Sequence, residues 1–153
     1  MRPLDPIDRK ILEALQHDGR VTMTDLANLV GLSATPCTER VRRMEREGII
    51  AGYHARVNPH ALERPVLVFL QIRLAGKSPE ILESARRALG TMDGIVEAHL
   101  VAGDFDYLVK ARLAATGDYP TLLGALHAAL PPIAECRSQV VMAEIKETLY
   151  LQP

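Results

Sequence analysis

The sequence predicts an α+β chain in two parts, a three-helix module ending in a helix-turn-helix and then a ferredoxin-like β-α-β-β-α-β sandwich. Three observations carry this reading. The run from Gly31 to Ile50 opens on a glycine turn and continues with an apolar stripe on one side and arginines on the other. A shorter helical pattern precedes it at the spacing of a helix-turn-helix. Beyond residue 64 the pattern changes to β-branched, alternating segments interrupted by two helical ones.

The first helix is expected over residues 4–16. Asp5 can cap it, Pro6 suits its first position, and Ile7, Ile11, Leu12 and Leu15 form one stripe. Asp18-Gly19-Arg20 closes it. Thr22-Met23-Thr24-Asp25 fits a capping box for a second helix carrying Leu26, Ala27, Leu29 and Val30 before the Gly31 turn. Ser33 can cap the third helix, where Pro36 is tolerated only in the first turn. Cys37, Val41 and Met44 share its apolar face, whereas Thr35, Thr38, Glu39, Arg42, Arg43 and Arg46 lie opposite. Gly48 suits a helix stop. A helix so divided can dock one side on a core and enter a DNA groove with the other. Ile49 to Val57 reads as extended, a wing or a strand leading out, and Gly52 to Arg64 as a connector.

In the second half Val66 to Leu74 reads as a strand, and Ser78-Pro79-Glu80 opens a helix with Ile81, Ala85, Ala88, Leu89 and Met92 on one face. Ile95 to Val101 and Tyr107 to Leu113 are strands around the compact turn Gly103-Asp104-Phe105-Asp106. Asp118-Tyr119-Pro120 starts another helix, burying Leu122, Leu126, Ala129 and Leu130, and Pro131-Pro132 ends it. Gln139 to Ile145 is the expected last strand. One sheet face then carries Gln71, Arg73, Lys110 and Arg112 or their apolar neighbours, and an uncovered face of this kind argues for dimerisation.

The 153 residues suffice for a real core, and 48% hydrophobic with 24% charged residues is ordinary globular composition. Nine of the 18 basic and eight of the 19 acidic residues fall within the first 60, so a nucleic-acid reading rests on arginine placement and not on bulk charge. No stretch approaches the roughly 20 apolar residues of a membrane span, and the first residues lack the apolar core of a signal peptide. Cys37 and Cys136 are too few for a disulfide framework or a zinc site and are expected to be buried, reduced thiols of a cytoplasmic protein. No metal or cofactor is implied. His17, His54, His60, His99 and His127 lack metal-ligand spacing, and no serine sits in a nucleophile elbow, so an enzyme is not supported. His99 beside Glu97 reads as a structural or interface histidine.

The chain resembles the Lrp/AsnC (feast/famine) transcriptional regulators, and the leucine-responsive branch in particular. The resemblance is carried by Leu4-Asp5 with Asp8 and Ile11-Leu12, Gly31-Leu32-Ser33, Thr35-Pro36-Cys37 and Glu39-Arg40-Val41-Arg42-Arg43. It continues through Gly52-Tyr53, Asn58-Pro59, His99-Leu100-Val101, Gly103 to Leu108, and Val140-Val141-Met142. It implies a winged helix-turn-helix DNA-binding domain over residues 1–51, a connector over 52–64 and an effector-binding and oligomerisation (RAM) domain over 65–153. It implies double-stranded DNA as partner, with Ser33, Thr35, Thr38, Glu39, Arg42 and Arg43 on the exposed face of the recognition helix. It further implies homodimers assembling to octamers in a bacterial cytoplasm, associated with the nucleoid, and an amino-acid effector, leucine or a similar small apolar one, bound between dimers.

The implied effector site comprises Leu100, Ala102, Gly103, Asp104, Phe105, Asp106, Tyr107, Val140 and Val141. Its chemistry suits a zwitterion. Backbone N–H groups around Gly103 can meet a carboxylate, Asp104 or, preferably, Asp106 can meet the ammonium, and Leu100, Val140 and Val141 can line a side-chain pocket. The plain alternative is a hairpin turn in which Asp and Gly serve backbone geometry alone. At the level of the whole chain, the competing reading is an amino-acid-sensing module that acts without DNA, which leaves the basic helix unexplained. Heparin retention and its salt slope discriminate the two.

Overall fold

The structure is a computed structural model that describes residues 3–153. It falls into two compact units: the chain up to Arg56 together with Lys146–Pro153, and Val57–Ile145. The last eight residues associate with the first unit. The contacts responsible are the Gln16 side-chain amide, which donates to Leu151 O at 2.7 Å and accepts from Leu151 N–H at 2.7 Å, and the His17 and Tyr150 rings.

The first unit is built on α1 (Pro6–His17), α2 (Met23–Val30) and α3 (Ala34–Arg46). Asp5 caps α1 in a reciprocal box with Asp8. Thr22 accepts from Asp25 N–H, but its hydroxyl donates to the Asp25 carboxylate, so the expected box at α2 is replaced by a local side-chain pair. Gly31 takes φ 73° at the α2 C-cap, a left-handed turn that glycine makes without a Cβ penalty. Ser33 stands at the N-cap of α3 with extended backbone yet makes no side-chain cap. Ile11, Leu15, Leu26, Ala27, Val30, Cys37, Val41 and Met44 form the core of this unit. Full burial of each large side chain there stabilises by about 1.5–3 kcal/mol. Residues 51–58 form no hydrogen-bonded strand, so the extended stretch has no ladder partner among the described residues.

The second unit comprises β1 (Val66–Leu74), α4 (Pro79–Thr91), β2 (Ile95–Leu100), β3 (Tyr107–Leu113), α5 (Tyr119–Ala129) and β4 (Ile133–Val140). Its antiparallel sheet runs β2-β3-β1-β4, the order that a β-α-β-β-α-β chain gives when both helices cover one face. Val68, Leu70, Ile72 and Leu74 of β1 and Tyr107, Val109, Ala111 and Leu113 of β3 point into the core. Ala85, Leu89, Leu122, Leu126 and Leu130 meet them from the helical side, whereas the expected Ala129 is exposed.

The last strand is a correction. It spans Ile133–Val140, directly after the proline pair, and not Gln139 to Ile145. Glu135, Arg137 and Gln139 stand opposite Arg73, Gln71 and Phe69 on the sheet face away from the helices, and on the helical face Ser138, opposite Leu70, is satisfied by the Tyr119 hydroxyl. Cys136 on this strand is only partly buried, unlike Cys37. The other sheet face carries Gln71, Arg73, Lys110 and Arg112, one of the two registers considered, laced by ion pairs from Arg73 to Glu135, Lys110 to Glu97 and Arg112 to Glu144. No helix is long and apolar enough to cross a membrane among the described residues.

Candidate nucleic-acid interface and ligand-binding turn

At about 100° per residue, Cys37, Val41 and Met44 fall on one side of α3, and Thr35, Arg42 and Arg46 fall opposite. The burial agrees: the first three are 0–3% exposed, and Ser33, Thr35, Glu39, Arg42 and Arg46 are open to solvent. A depression of about 540 Å³ lined by Pro36, Glu39, Arg40, Arg42, Arg43 and Arg46 runs along this flank. It is a basic surface of helical shape, the form that phosphate and base edges in a major groove require. Two expected contact residues are placed differently. Thr38 is partly buried and its hydroxyl donates to Ala34 O at 2.8 Å. Arg43 is turned towards α1, where its Nη2 donates to Asp8 Oδ2 at 2.7 Å.

Asp8 was the unanticipated member of this region. Its side chain is fully buried, and it receives Arg43 on one oxygen and Arg40 on the other, at 2.7 and 2.8 Å. Arg40 also bonds the carboxylate of Asp5. Burial alone pushes the Asp8 carboxyl up, but the two guanidinium hydrogen bonds outweigh it and hold the group below its usual range. The Arg40 hydrogen bond and the Asp8 N–H hold Asp5 at about 2. The signal in the sequence was an aspartate in phase with the buried stripe, at Asp8, Ile11 and Leu15.

In the second unit the β2–β3 turn is closed by Val101 N–H to Asp106 O at 2.9 Å. Ala102, Gly103 and Asp104 stand exposed, and Gly103 holds φ 142°, in the region that favours glycine. Phe105 is partly buried with the Arg137 guanidinium 5.0 Å above its ring.

Asp106 is not on the open side of the turn. It is buried, its carboxylate accepts Leu74 N–H at 2.8 Å, and its other oxygen pairs with Lys77 Nζ at 2.9 Å. Desolvation raises its pKa, but the Leu74 N–H and Lys77 lower it further, so it stays ionised below the ordinary range. Tyr107 is buried too, its hydroxyl donating to Leu82 O at 2.8 Å.

The remaining expected residues are not brought together. Leu100 ends β2 at one edge of the sheet, and Val140 ends β4 at the other, three strand spacings of about 4.8 Å apart. Val140 pairs with Val68 and Leu100 with Tyr107, itself opposite Ile72, so the two also lie at different heights along the strands. Val141 N–H donates to Leu67 O. A concavity of about 430 Å³ between α4 and β2 does contain Leu100 and Tyr107, with Leu82, Leu89, Ala98 and the Glu83–Arg86 pair. No group of three acidic, histidine or cysteine residues that could hold a metal occurs among the described residues.

Comparison with known proteins agrees with both halves of this geometry. Residues 4–51 match the family model described as winged helix-turn-helix DNA-binding, and residues 67–151 match the Lrp/AsnC ligand binding domain. The chain is 45% identical over 150 residues to the leucine-responsive regulatory protein of Haemophilus influenzae, covering 98% of this chain and 90% of that one. The crystal structure of an AsnC family transcriptional regulator from Agrobacterium tumefaciens superposes with a TM-score of 0.92 at 34% identity, over 97% of this chain and 96% of the other. A transcriptional regulator of Neisseria meningitidis, solved as its L-Met complex, gives 0.90 at 26% identity over 97% and 96%. These relatives are regulators and not enzymes. With an arginine-bearing recognition helix in one unit and a matched ligand-binding sandwich in the other, the chain belongs to the Lrp/AsnC family of DNA-binding transcriptional regulators.

Proposed function

We propose that the chain binds specific double-stranded DNA sites through α3 and changes that binding, or its own assembly, when a small apolar amino acid occupies the turn at residues 102–106. The observation that carries this is the union in one chain of a helix exposing Arg42 and Arg46 opposite its buried face and an open glycine turn at a strand end. Ser33, Thr35, Glu39, Arg42 and Arg46 form the contact set, with Arg43 in a supporting role because its guanidinium is engaged by Asp8.

Backbone N–H groups around Gly103 take the effector carboxylate and Asp104 takes the ammonium, while Asp106 holds the turn by its bond to Leu74. Leucine is the first candidate, from the name of the Haemophilus relative, and methionine the second, from the Neisseria complex. The separation of Leu100 from Val140 and Val141 favours a site finished by a second copy of the chain, which fits homodimers assembling to an octamer.

Size-exclusion chromatography with light scattering, run with each common amino acid, tests the effector reading. A mass near eight chains that shifts with one or two apolar amino acids supports it. A dimer indifferent to all of them removes the metabolite switch. Arg42→Glu tests the DNA side: fluorescence anisotropy should show strongly weakened binding with an unchanged circular dichroism spectrum, and wild-type affinity would remove α3 from the groove.

A further inference from the structure

The recognition helix carries four arginines that separate into two pairs by helical phase. Arg42 and Arg46 lie within about 40° of each other and face away from the core stripe. Arg40 and Arg43 lie about 60° apart on the flank nearer the core, towards α1. Among the described residues, only the second pair is engaged by carboxylates. Asp8 Oδ1 takes Arg40 Nη1 at 2.8 Å and Asp8 Oδ2 takes Arg43 Nη2 at 2.7 Å. Arg40 also reaches Asp5, and Asp5 and Asp8 cap one another across the first turn of α1.

We propose that Asp8, with Asp5, is the positioning residue of the DNA-binding surface: it fixes the rotation of α3 through Arg40 and Arg43 so that Arg42 and Arg46 meet the duplex in register. This rests on the DNA reading above and adds a residue that would touch no DNA. The physical reason is burial. The Asp8 side chain is 0% exposed, so water cannot substitute for either guanidinium. A buried carboxylate loses heavily when a partner leaves, which makes the arrangement close to all-or-none. The bonds run from the N-terminal turn of α1 to the middle of α3 at Arg40 and to its last turn at Arg43, so rolling α3 strains both at once. The same carboxylate completes the N-cap of α1, so the start of that helix and the angle of the recognition helix are set by a single group.

The proposal has an electrostatic signature opposite in sign to simple charge counting. Asp8→Asn removes a negative charge from a DNA-binding surface, and phosphate attraction alone would tighten binding to any duplex. If Asp8 instead positions α3, the variant loses affinity for the preferred sequence while its affinity for arbitrary sequence stays level or rises.

The test measures two duplexes of equal length by fluorescence anisotropy, one selected by the full-length chain from a randomised pool and one unselected, across a salt series. Wild-type preference for the selected duplex checks the DNA reading itself. For Asp8→Asn the expected result is a fall of about tenfold in affinity for the selected duplex, the scale of one lost buried charge-assisted bond. Affinity for the unselected duplex should not fall, and the salt slope should not change. A variant that merely unfolds would lose both. Arg40→Lys provides the second arm, since an ammonium keeps the charge but cannot bridge Asp5 and Asp8 as the guanidinium fork does. It should lose selectivity at unchanged slope. Equal or tighter binding of the selected duplex by Asp8→Asn, or full selectivity in Arg40→Lys, overturns the proposal. So does a slope lowered by about one in Arg43→Gln, which would place Arg43 on a phosphate.

Discussion

Asp106 ties the β2–β3 turn to β1 through both its backbone and its carboxylate. Its backbone closes the β2–β3 turn through Val101 and reaches Ile72 of β1, and its side chain takes Leu74 N–H where the β1–β4 register shifts. Asp106→Ala leaves that buried N–H without an acceptor, and the expected loss is roughly 1–3 kcal/mol in a denaturant melt. Asp106→Asn keeps an acceptor and gives up only the pair with Lys77, itself 59% exposed, so it should cost clearly less. Equal midpoints for both variants would mean the Leu74 bond contributes nothing net. Gly31 makes a separate case. A Cβ there would meet open space, so Gly31→Ala tests backbone conformation alone at φ 73°. A loss of about 1–2 kcal/mol is expected from forcing a left-handed residue, read from the same melts.

Among the elements, those with a clean period were legible before the structure: α1 from Asp5-Pro6 and its stripe, α3 from Cys37, Val41 and Met44, and β1 and β3 from their alternation. β4 was misplaced because the positions alternating with Glu135, Arg137 and Gln139 are Cys136, Ser138 and Val140, too weakly apolar a series for a strand search to follow. The α1–α3 link was missed for another reason. Arginine on a helix reads as solvent-facing, and only the opposing Asp8 turns Arg40 and Arg43 inwards.

That link also sets a pH dependence. The carboxyls of Asp5 and Asp8 lie below their usual range in the folded chain, Asp5 at about 2. Groups depressed on folding contribute stability above the unfolded value of about 3.9 and lose it as pH falls towards the folded one. The first unit should therefore keep its melting temperature from neutral pH down to about 5 and lose it steeply below 4. In Asp8→Asn that acid limb should be shallower, since one of the two titrating groups is gone. An unchanged limb would assign the acid sensitivity to other carboxylates.

For the whole molecule, the chain passes between its two units twice, once at Arg56–Val57 and again at Ile145–Lys146. The returning segment belongs to the first unit through specific bonds: the Gln16 amide on both backbone groups of Leu151, the His17 and Tyr150 rings 5.0 Å apart, and Arg56 to Glu147 at 3.3 Å. None of this was legible in the sequence, because the tail has no period and its partners lie 135 positions away. The bonds are solvent-exposed, so their worth is modest, about 1 kcal/mol after the ordering of the segment is counted. For a unit of this size such a loss lowers the melting temperature by roughly 4–8 °C. Truncation after Ile145 should therefore shift the transition of the first unit and leave that of the second in place. Hydrogen exchange should quicken in the last turn of α1, around Gln16 and His17, while the amides of β1 and β3 keep their protection. Quickened exchange throughout the sheet would instead show that the tail supports the ligand-binding unit. Unchanged exchange in α1 would show that Gln16 holds the tail without gaining anything from it.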